Sequence, residues 1–221
     1  MGKLTVEEAN KELEDLVSDK NLSLKDKENK LRQIIENLDV STHGNTTVLY
    51  SGPIEPGARG TGELVKEFKN NANIRLLDNT EAYKFLNLET DGNKNLKNAL
   101  QSIFGDDPIS PGSKANQFLY GNNTIPRTAN GAWDIISRNF AKGASGNVVA
   151  IVPFAQADRV FGATELKELL NNSNVTSING LDKEALLSFA KNSPPTAKDI
   201  ERIFNKNHLK SPNGCQRLDF S

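Results

Sequence analysis

One cysteine, two histidines and one tryptophan are all that 221 residues contain of those types. A lone cysteine, Cys215, rules out an intrachain disulfide, and its free thiol suits a reducing compartment. His43 and His208 lie far apart in polar surroundings. They offer no zinc-ligand spacing and no Cys–His nucleophile pair, and both read as solvent-exposed.

Charge of one sign is also lacking. Lys and Arg together number 27 and Asp and Glu 28, so no field favours nucleic acid or an anionic membrane. No apolar run approaches the ~20 residues of a membrane span. Met1-Gly2-Lys3-Leu4-Thr5 lacks the basic-then-apolar pattern of a signal peptide. The expected setting is a cytoplasm, either the producer's own or that of a target cell reached without an N-terminal signal. Apolar residues make up only 36% of the chain, yet they cluster, which indicates a folded protein with a modest core.

Periodicity then supplies the elements. Amphipathic helices are expected over 6–17 and 24–38, with Thr5 and Ser23 as N-caps. Thr46–Tyr50 is β-prone and ends at Ser51-Gly52-Pro53. Helices follow near 63–70, 79–87 and 94–104, then a long Gly/Pro/Asn/Ser-rich loop or lid over 105–130. A helix at 133–142 precedes a buried strand at 147–153. Helix 165–171, strand 174–178 and helices 181–191 and 196–206 complete the chain. The fold class is therefore α/β: a mostly helical N-terminal lobe packed on a C-terminal lobe with a small parallel sheet flanked by helices. The expected boundaries are an N-terminal helical segment at 1–45, a helical lobe at about 46–145 and an α/β lobe at about 146–221.

Several groups could carry chemistry. Gly57-Ala58-Arg59-Gly60-Thr61-Gly62 lies between a strand and a helix, where backbone N–H groups can hold a phosphate. It is G-x-x-G-x-G rather than the dinucleotide fingerprint, and a plain flexible turn is the preferred reading. In Phe161-Gly162-Ala163-Thr164-Glu165-Leu166 a loop turns into a helix. Thr164 is expected as N-cap and Glu165 as first helical residue, where the helix dipole favours an ionised carboxylate. That group is either a dipole-stabilising glutamate or the anion a cationic transition state needs. Trp133, at the edge of an apolar helix stripe one turn before Ser137, is either core or a ring for a planar ligand.

Four segments, in order, resemble the ADP-ribosyl cyclase / NAD glycohydrolase family. Val48-Leu49-Tyr50-Ser51-Gly52 is similar to its aromatic-Ser-Gly turn, and Leu77-Asp78-Asn79-Thr80 to its Leu-Glu-Asp-Thr helix start. Ala132-Trp133-Asp134-Ile135-Ile136-Ser137-Arg138-Asn139-Phe140-Ala141 is similar to its Phe-Trp-x-x-x-Ser-x-x-Phe/Tyr-Ala helix. Phe161–Leu166 is similar to its Phe-Gly-x-x-Glu segment, and the resemblance spans about 46–216.

The resemblance implies roles for these positions. Glu165 matches the catalytic glutamate that stabilises the oxocarbenium-like state, and Trp133 the tryptophan that positions the substrate by stacking. Tyr50 stands where the family usually has a second tryptophan. Ser51, Ser137 and Phe161 match positions around the phosphates, Gly52 a glycine found in some members, and Asp78 the acid near the nicotinamide amide.

The implied activity is cleavage of the nicotinamide–ribose bond of NAD to nicotinamide and ADP-ribose, with some cyclic ADP-ribose. NAD is then substrate, and neither metal nor organic cofactor is expected. Animal members are disulfide-rich ectoenzymes, so a single cysteine suggests a bacterial intracellular enzyme or an NAD-depleting toxin domain held in check by an immunity protein. The alternative is a non-catalytic module of the same fold that binds NAD or ADP-ribose. No nucleic acid and no membrane partner is expected.

Overall fold

The computed structural model describes residues 3–52, 60–66, 69–89, 92–121, 130–152 and 160–190. The chain is mixed α/β, and its residues divide into two units. The first comprises residues 1–42 and 77–140, the second residues 43–76 and 141–221.

The first unit is helical. Helix α1 (Val6–Ser18) starts at a capping box in which the Thr5 side chain accepts from Glu8 N–H and Glu8 reaches back to Thr5 N–H. Helix α2 (Leu24–Glu36) is capped by Ser23 as the sequence predicts. Ala9, Leu13 and Leu16 of α1 and Leu31, Ile34 and Ile35 of α2 form buried stripes. Backbone hydrogen bonds link Leu4 to Asn37 and Asp39, each at 2.8 Å. Helix α4 (Glu81–Leu86) is tied to α1 by Glu81, whose carboxylate accepts Val6 N–H at 3.0 Å. Helix α1 also packs on α5 (Lys94–Phe104), so the first 42 residues belong to this unit.

The expected loop over 105–130 contains a helix, α6 (Lys114–Tyr120). Ser113 caps it, and Ala115, Phe118 and Leu119 bury a one-sided stripe that the surrounding Pro, Gly and Asn hide in the composition. Residues 122–129 of that stretch lie outside the described residues. Helix α7 (Ala132–Lys142) runs as predicted.

The second unit holds a five-stranded sheet in the order β2-β1-β3-β4-β5. Strands β1 (Thr46–Tyr50), β2 (Ile74–Arg75), β3 (Gly146–Ile151) and β4 (Val175–Ile178) are parallel, and β5 (Leu181–Asp182) is antiparallel to β4. The expected boundary near residue 145 is therefore corrected. Strand β1, assigned to a helical lobe, pairs along its apolar length with β3: Val48 opposite Val149, Leu49 opposite Ala150, Tyr50 opposite Ile151. The short helix α3 (Gly62–Val65) also lies in this unit.

The expected helix at 181–191 begins two residues later, as α9 (Lys183–Ala190). Asn179-Gly180 makes a two-residue hairpin loop with φ of 52° and 72°, and this turns Leu181-Asp182 back along β4. The Asn179 side chain then stands in for a strand. Its Oδ1 accepts Ala150 N–H at 2.7 Å and its Nδ2 donates to Ala150 O at 2.9 Å. The expected helix at 196–206 lies outside the described residues.

Glycine adopts the positive φ of residue 179 without strain, so Asn179→Gly isolates these two hydrogen bonds. Chemical denaturation is expected to show a loss of about 1–3 kcal/mol, the usual consequence of leaving buried backbone groups unpaired, with an unchanged denaturant slope.

Candidate functional site

In an open parallel sheet, ligands bind beyond the carboxyl ends of the strands, at the point where the strand order reverses. Here the chain leaves β1 towards β2 on one side, and β3 leads to β4 on the other. The reversal lies between β1 and β3, whose paired carboxyl-terminal residues are Tyr50 and Ile151. Three of the sequence-predicted site residues, Tyr50, Ser51 and Gly52, occupy that end of β1.

The local geometry follows from the sequence. Ser51 N–H donates to Ile151 O at 3.3 Å, which carries the pairing one residue past the strand. Gly52 has φ +84°, a left-handed conformation that glycine adopts without strain. Its carbonyl accepts two bonds from buried Thr61, from N–H at 2.9 Å and from Oγ1 at 3.0 Å. Gly52 and Thr61 are thus tied directly to each other. Gly57, Ala58 and Arg59, the first half of the glycine-rich phosphate candidate, lie outside the described residues. Tyr50 packs against the apolar cluster of Val48, Val65, Ile74 and Leu76 and remains partly exposed.

Glu165 and Phe161 belong to the same unit, on the first described turn after β3. Their local structure differs from the expectation. The backbone is already helical at Val160, so Thr164 lies inside the helix rather than at its start. Residues Phe161–Glu165 form a π-helical turn in which Leu166 N–H bonds to Phe161 O, five residues back, and helix α8 (Leu166–Asn171) continues from it. Glu165 is therefore more than one turn from where the helical backbone begins, too deep for the helix dipole to act on it, since that effect fades within the first turn. What distinguishes it instead is burial. Only 3% of Glu165 is exposed, beside Phe161 at 1% and Thr164 at 3%. A carboxylate is rarely kept in such a place for stability, and inserted π turns recur at functional sites.

The remaining predicted residues lie in the helical unit. Asp78 sits in a 3₁₀ turn (Leu77–Asn79), directly before Thr80, whose side chain caps α4 by accepting Tyr83 N–H at 3.1 Å. The Leu-Asp-Asn-Thr segment is thus a helix start, as its sequence suggests. Trp133 and Ser137 stand one turn apart on α7, with Ser137 buried. Asp134, between them, is fully buried and accepts Gly131 N–H at 3.1 Å, which fixes the start of the helix. Tyr83, a residue the motifs do not mark, meets the Trp133 ring edge-to-face with centroids 5.4 Å apart. Burial pushes the Tyr83 phenol up, and the negative charges of Asp78 and Glu89 push it the same way. The hydroxyl therefore stays protonated at neutral pH, and Asp78 belongs to the surroundings of this aromatic pair.

The predicted residues thus fall into two groups, one within each unit: Tyr50, Ser51, Gly52, Phe161 and Glu165 in the α/β unit, and Asp78, Trp133 and Ser137 in the helical unit. No family model, curated protein or solved structure matches the chain. His43 is exposed, whereas His208 and Cys215 lie outside the described residues. No helix among the described residues is long and apolar enough to cross a membrane.

An L-residue with a side chain at position 52 would be held in the left-handed region at about 1–2 kcal/mol. Gly52→Ala is expected to lower the thermal midpoint by several degrees, whereas Gly60→Ala, whose added Cβ would make only an ordinary contact with Gly52 O at 4.0 Å, should change it little.

Proposed function

We propose that the protein cleaves the nicotinamide–ribose bond of NAD, releasing nicotinamide and ADP-ribose. The observation that carries the reading is Glu165. It is a carboxylate buried on a π-helical turn after β3, in the unit whose strand order reverses at Tyr50-Ser51-Gly52. The four motif segments in their order supply the substrate.

The chemistry asks little of the protein. Nicotinamide in NAD is already a cationic leaving group. The C1′–N bond breaks heterolytically, its electron pair goes to the ring nitrogen, and neutral nicotinamide departs. The ribosyl group is left with oxocarbenium character, which a fixed carboxylate stabilises more than it stabilises the ground state. Water then adds to C1′ and releases one proton, giving ADP-ribose. Glu165 is the anion in this scheme, and Ser51 and Gly52 are the phosphate-facing turn. Trp133, Ser137 and Asp78 keep the roles that the resemblance assigns them: the ring that holds the base, a phosphate contact and a contact to the amide. In a cell such an activity depletes NAD, which fits a toxin or effector acting in a cytoplasm and neutralised at home by an immunity protein.

Glu165→Gln keeps the volume and removes the charge. It is expected to remain folded and to lower NAD turnover by roughly 100-fold or more, the scale of losing one preorganised electrostatic group. Turnover within a few-fold of the wild type would remove Glu165 from the mechanism, and tight NAD binding without turnover by the wild type would make the chain a binding module.

ADP-ribose is expected to dominate over cyclic ADP-ribose. Cyclisation needs the adenine folded back on aromatic surface in a dry site, and Tyr50 offers less area than tryptophan. A barrier difference of about 1.4 kcal/mol shifts the ratio tenfold. Time-resolved chromatography checks this: Tyr50→Trp should raise the cyclic fraction, and cyclic ADP-ribose as the major early product of the wild type would contradict it.

A further inference from the structure

Helix α7, which carries Trp133, begins at a residue with no side chain to cap it. Its first intrahelical bond runs from Ile135 N–H to Gly131 O at 3.1 Å, which makes Gly131 the N-cap. Only the return half of a capping box is present, with Asp134 accepting Gly131 N–H. Thr5, Ser23, Asn93 and Ser113 supply the side-chain half at α1, α2, α5 and α6. Space explains the glycine. A Cβ at position 131 would lie 2.5 Å from Gly121 N and 2.7 Å from Leu119 O. The backbone ahead of α7 therefore runs directly against the end of α6.

A side chain from α2 reaches this junction. Arg32, partly buried, donates from Nη1 to Asn130 O at 2.8 Å, directly before the N-cap. Its guanidinium lies over the Phe118 ring of α6, with the central carbon 4.6 Å from the ring centroid. Nη2 bonds to Glu28 Oε1 at 3.1 Å, one turn back on α2. The fork thus joins α6 to the residue ahead of α7, while Glu28 holds its plane. An i,i+4 pair on a helix surface adds little by itself. The bond to Asn130 differs in kind, because it holds the backbone three residues before Trp133. Farther along α7, Asn139 Nδ2 donates to Glu36 O at 3.2 Å, so α2 ties the helix at a second point.

We infer that Arg32 is a positioning residue for Trp133: by holding the start of α7 against α6, it sets where the indole ring stands. Trp133 is the second residue of the helix, so a shift at Asn130 and Gly131 carries its Cα along. Tyr83, edge-to-face with the indole, contacts the ring from α4, and Arg32 fixes the backbone from which the ring projects. Its part in the reaction rests on the assignment of Trp133 as the ring that holds the base. A ring misplaced by about 1 Å presents the substrate out of line and can cost on the order of 100-fold.

Trp133 is the only tryptophan in the chain, so its fluorescence reports the ring directly. The experiment compares Arg32→Met, Arg32→Lys and Glu28→Gln with the wild-type full chain. Emission, acrylamide quenching and near-ultraviolet circular dichroism are measured first, then NAD turnover. Arg32→Met keeps an apolar stem over Phe118 and deletes the donors. It is expected to shift the emission, to increase quenching, and to raise KM for NAD roughly tenfold with kcat within a few-fold. Arg32→Lys restores one donor and should bring both readouts back towards the wild type. Glu28→Gln keeps an acceptor for Nη2 and should leave both unchanged. Arg32→Gln replaces the methionine variant if the latter melts early. Wild-type emission, quenching and dichroism in Arg32→Met would overturn the inference. An equal change in Glu28→Gln would also overturn it, by placing the effect in the ion pair. Altered spectra with an unchanged KM would remove Arg32 from the reaction. A wild type that leaves NAD intact refutes the reaction itself, and the spectra still decide whether Arg32 holds the ring.

Discussion

The pairing of β1 with β3 is the constraint on which the rest of the α/β unit depends. Val48 and Leu49 are buried and pair with Val149 and Ala150 of β3, the apolar pattern of a strand covered on both faces. Because the strands are parallel and in this register, Tyr50 and Ile151 end together. Ser51 adds one more bond to Ile151, and Gly52 follows at a positive φ. A one-residue slip would send each buried side chain of β1 to the opposite face of the sheet and move Ser51-Gly52 away from the strand-order reversal. The sheet therefore does more than supply a core, since it fixes which backbone groups border the candidate site.

Burial gives Glu165 its meaning in this frame. The sequence places a glutamate at a helix start, where such residues are common and stabilising. In the structure the same residue sits behind Phe161 on a π-helical turn, almost without solvent. The dipole explanation lapses with that change, and what sets the residue apart is its burial beside Phe161 and Thr164.

What could be read from the sequence follows the range of the forces involved. The starts of α1 and α2 were legible because Thr5 and Ser23 cap through bonds to residues three positions on. Strand β3 was legible because Val148–Val152 is an unbroken β-branched and aliphatic run apart from Ala150. Helix α6 was hidden because its stripe of Ala115, Phe118 and Leu119 is short and set among loop-forming residues. Asn179-Gly180 did carry a hairpin signal, which the helical pattern that follows obscured. The interleaving of the two units was not legible, because it depends on β1 finding β3 about a hundred residues later. Glu165, Tyr50, Ser51 and Gly52 could be singled out by motif. Tyr83 and Arg32 could not, since only the packing of the helices brings one to the Trp133 ring and the other to the start of α7.

The central claim is a bond cleavage, and its most direct test is the fate of NAD itself. Purified chain is incubated with NAD, and nicotinamide, ADP-ribose and any mononucleotides are resolved by chromatography over time. The account predicts that nicotinamide appears mole for mole with the NAD consumed, with ADP-ribose as its partner product. Folded protein that leaves NAD intact, or that yields AMP and nicotinamide mononucleotide by breaking the diphosphate instead, would contradict it.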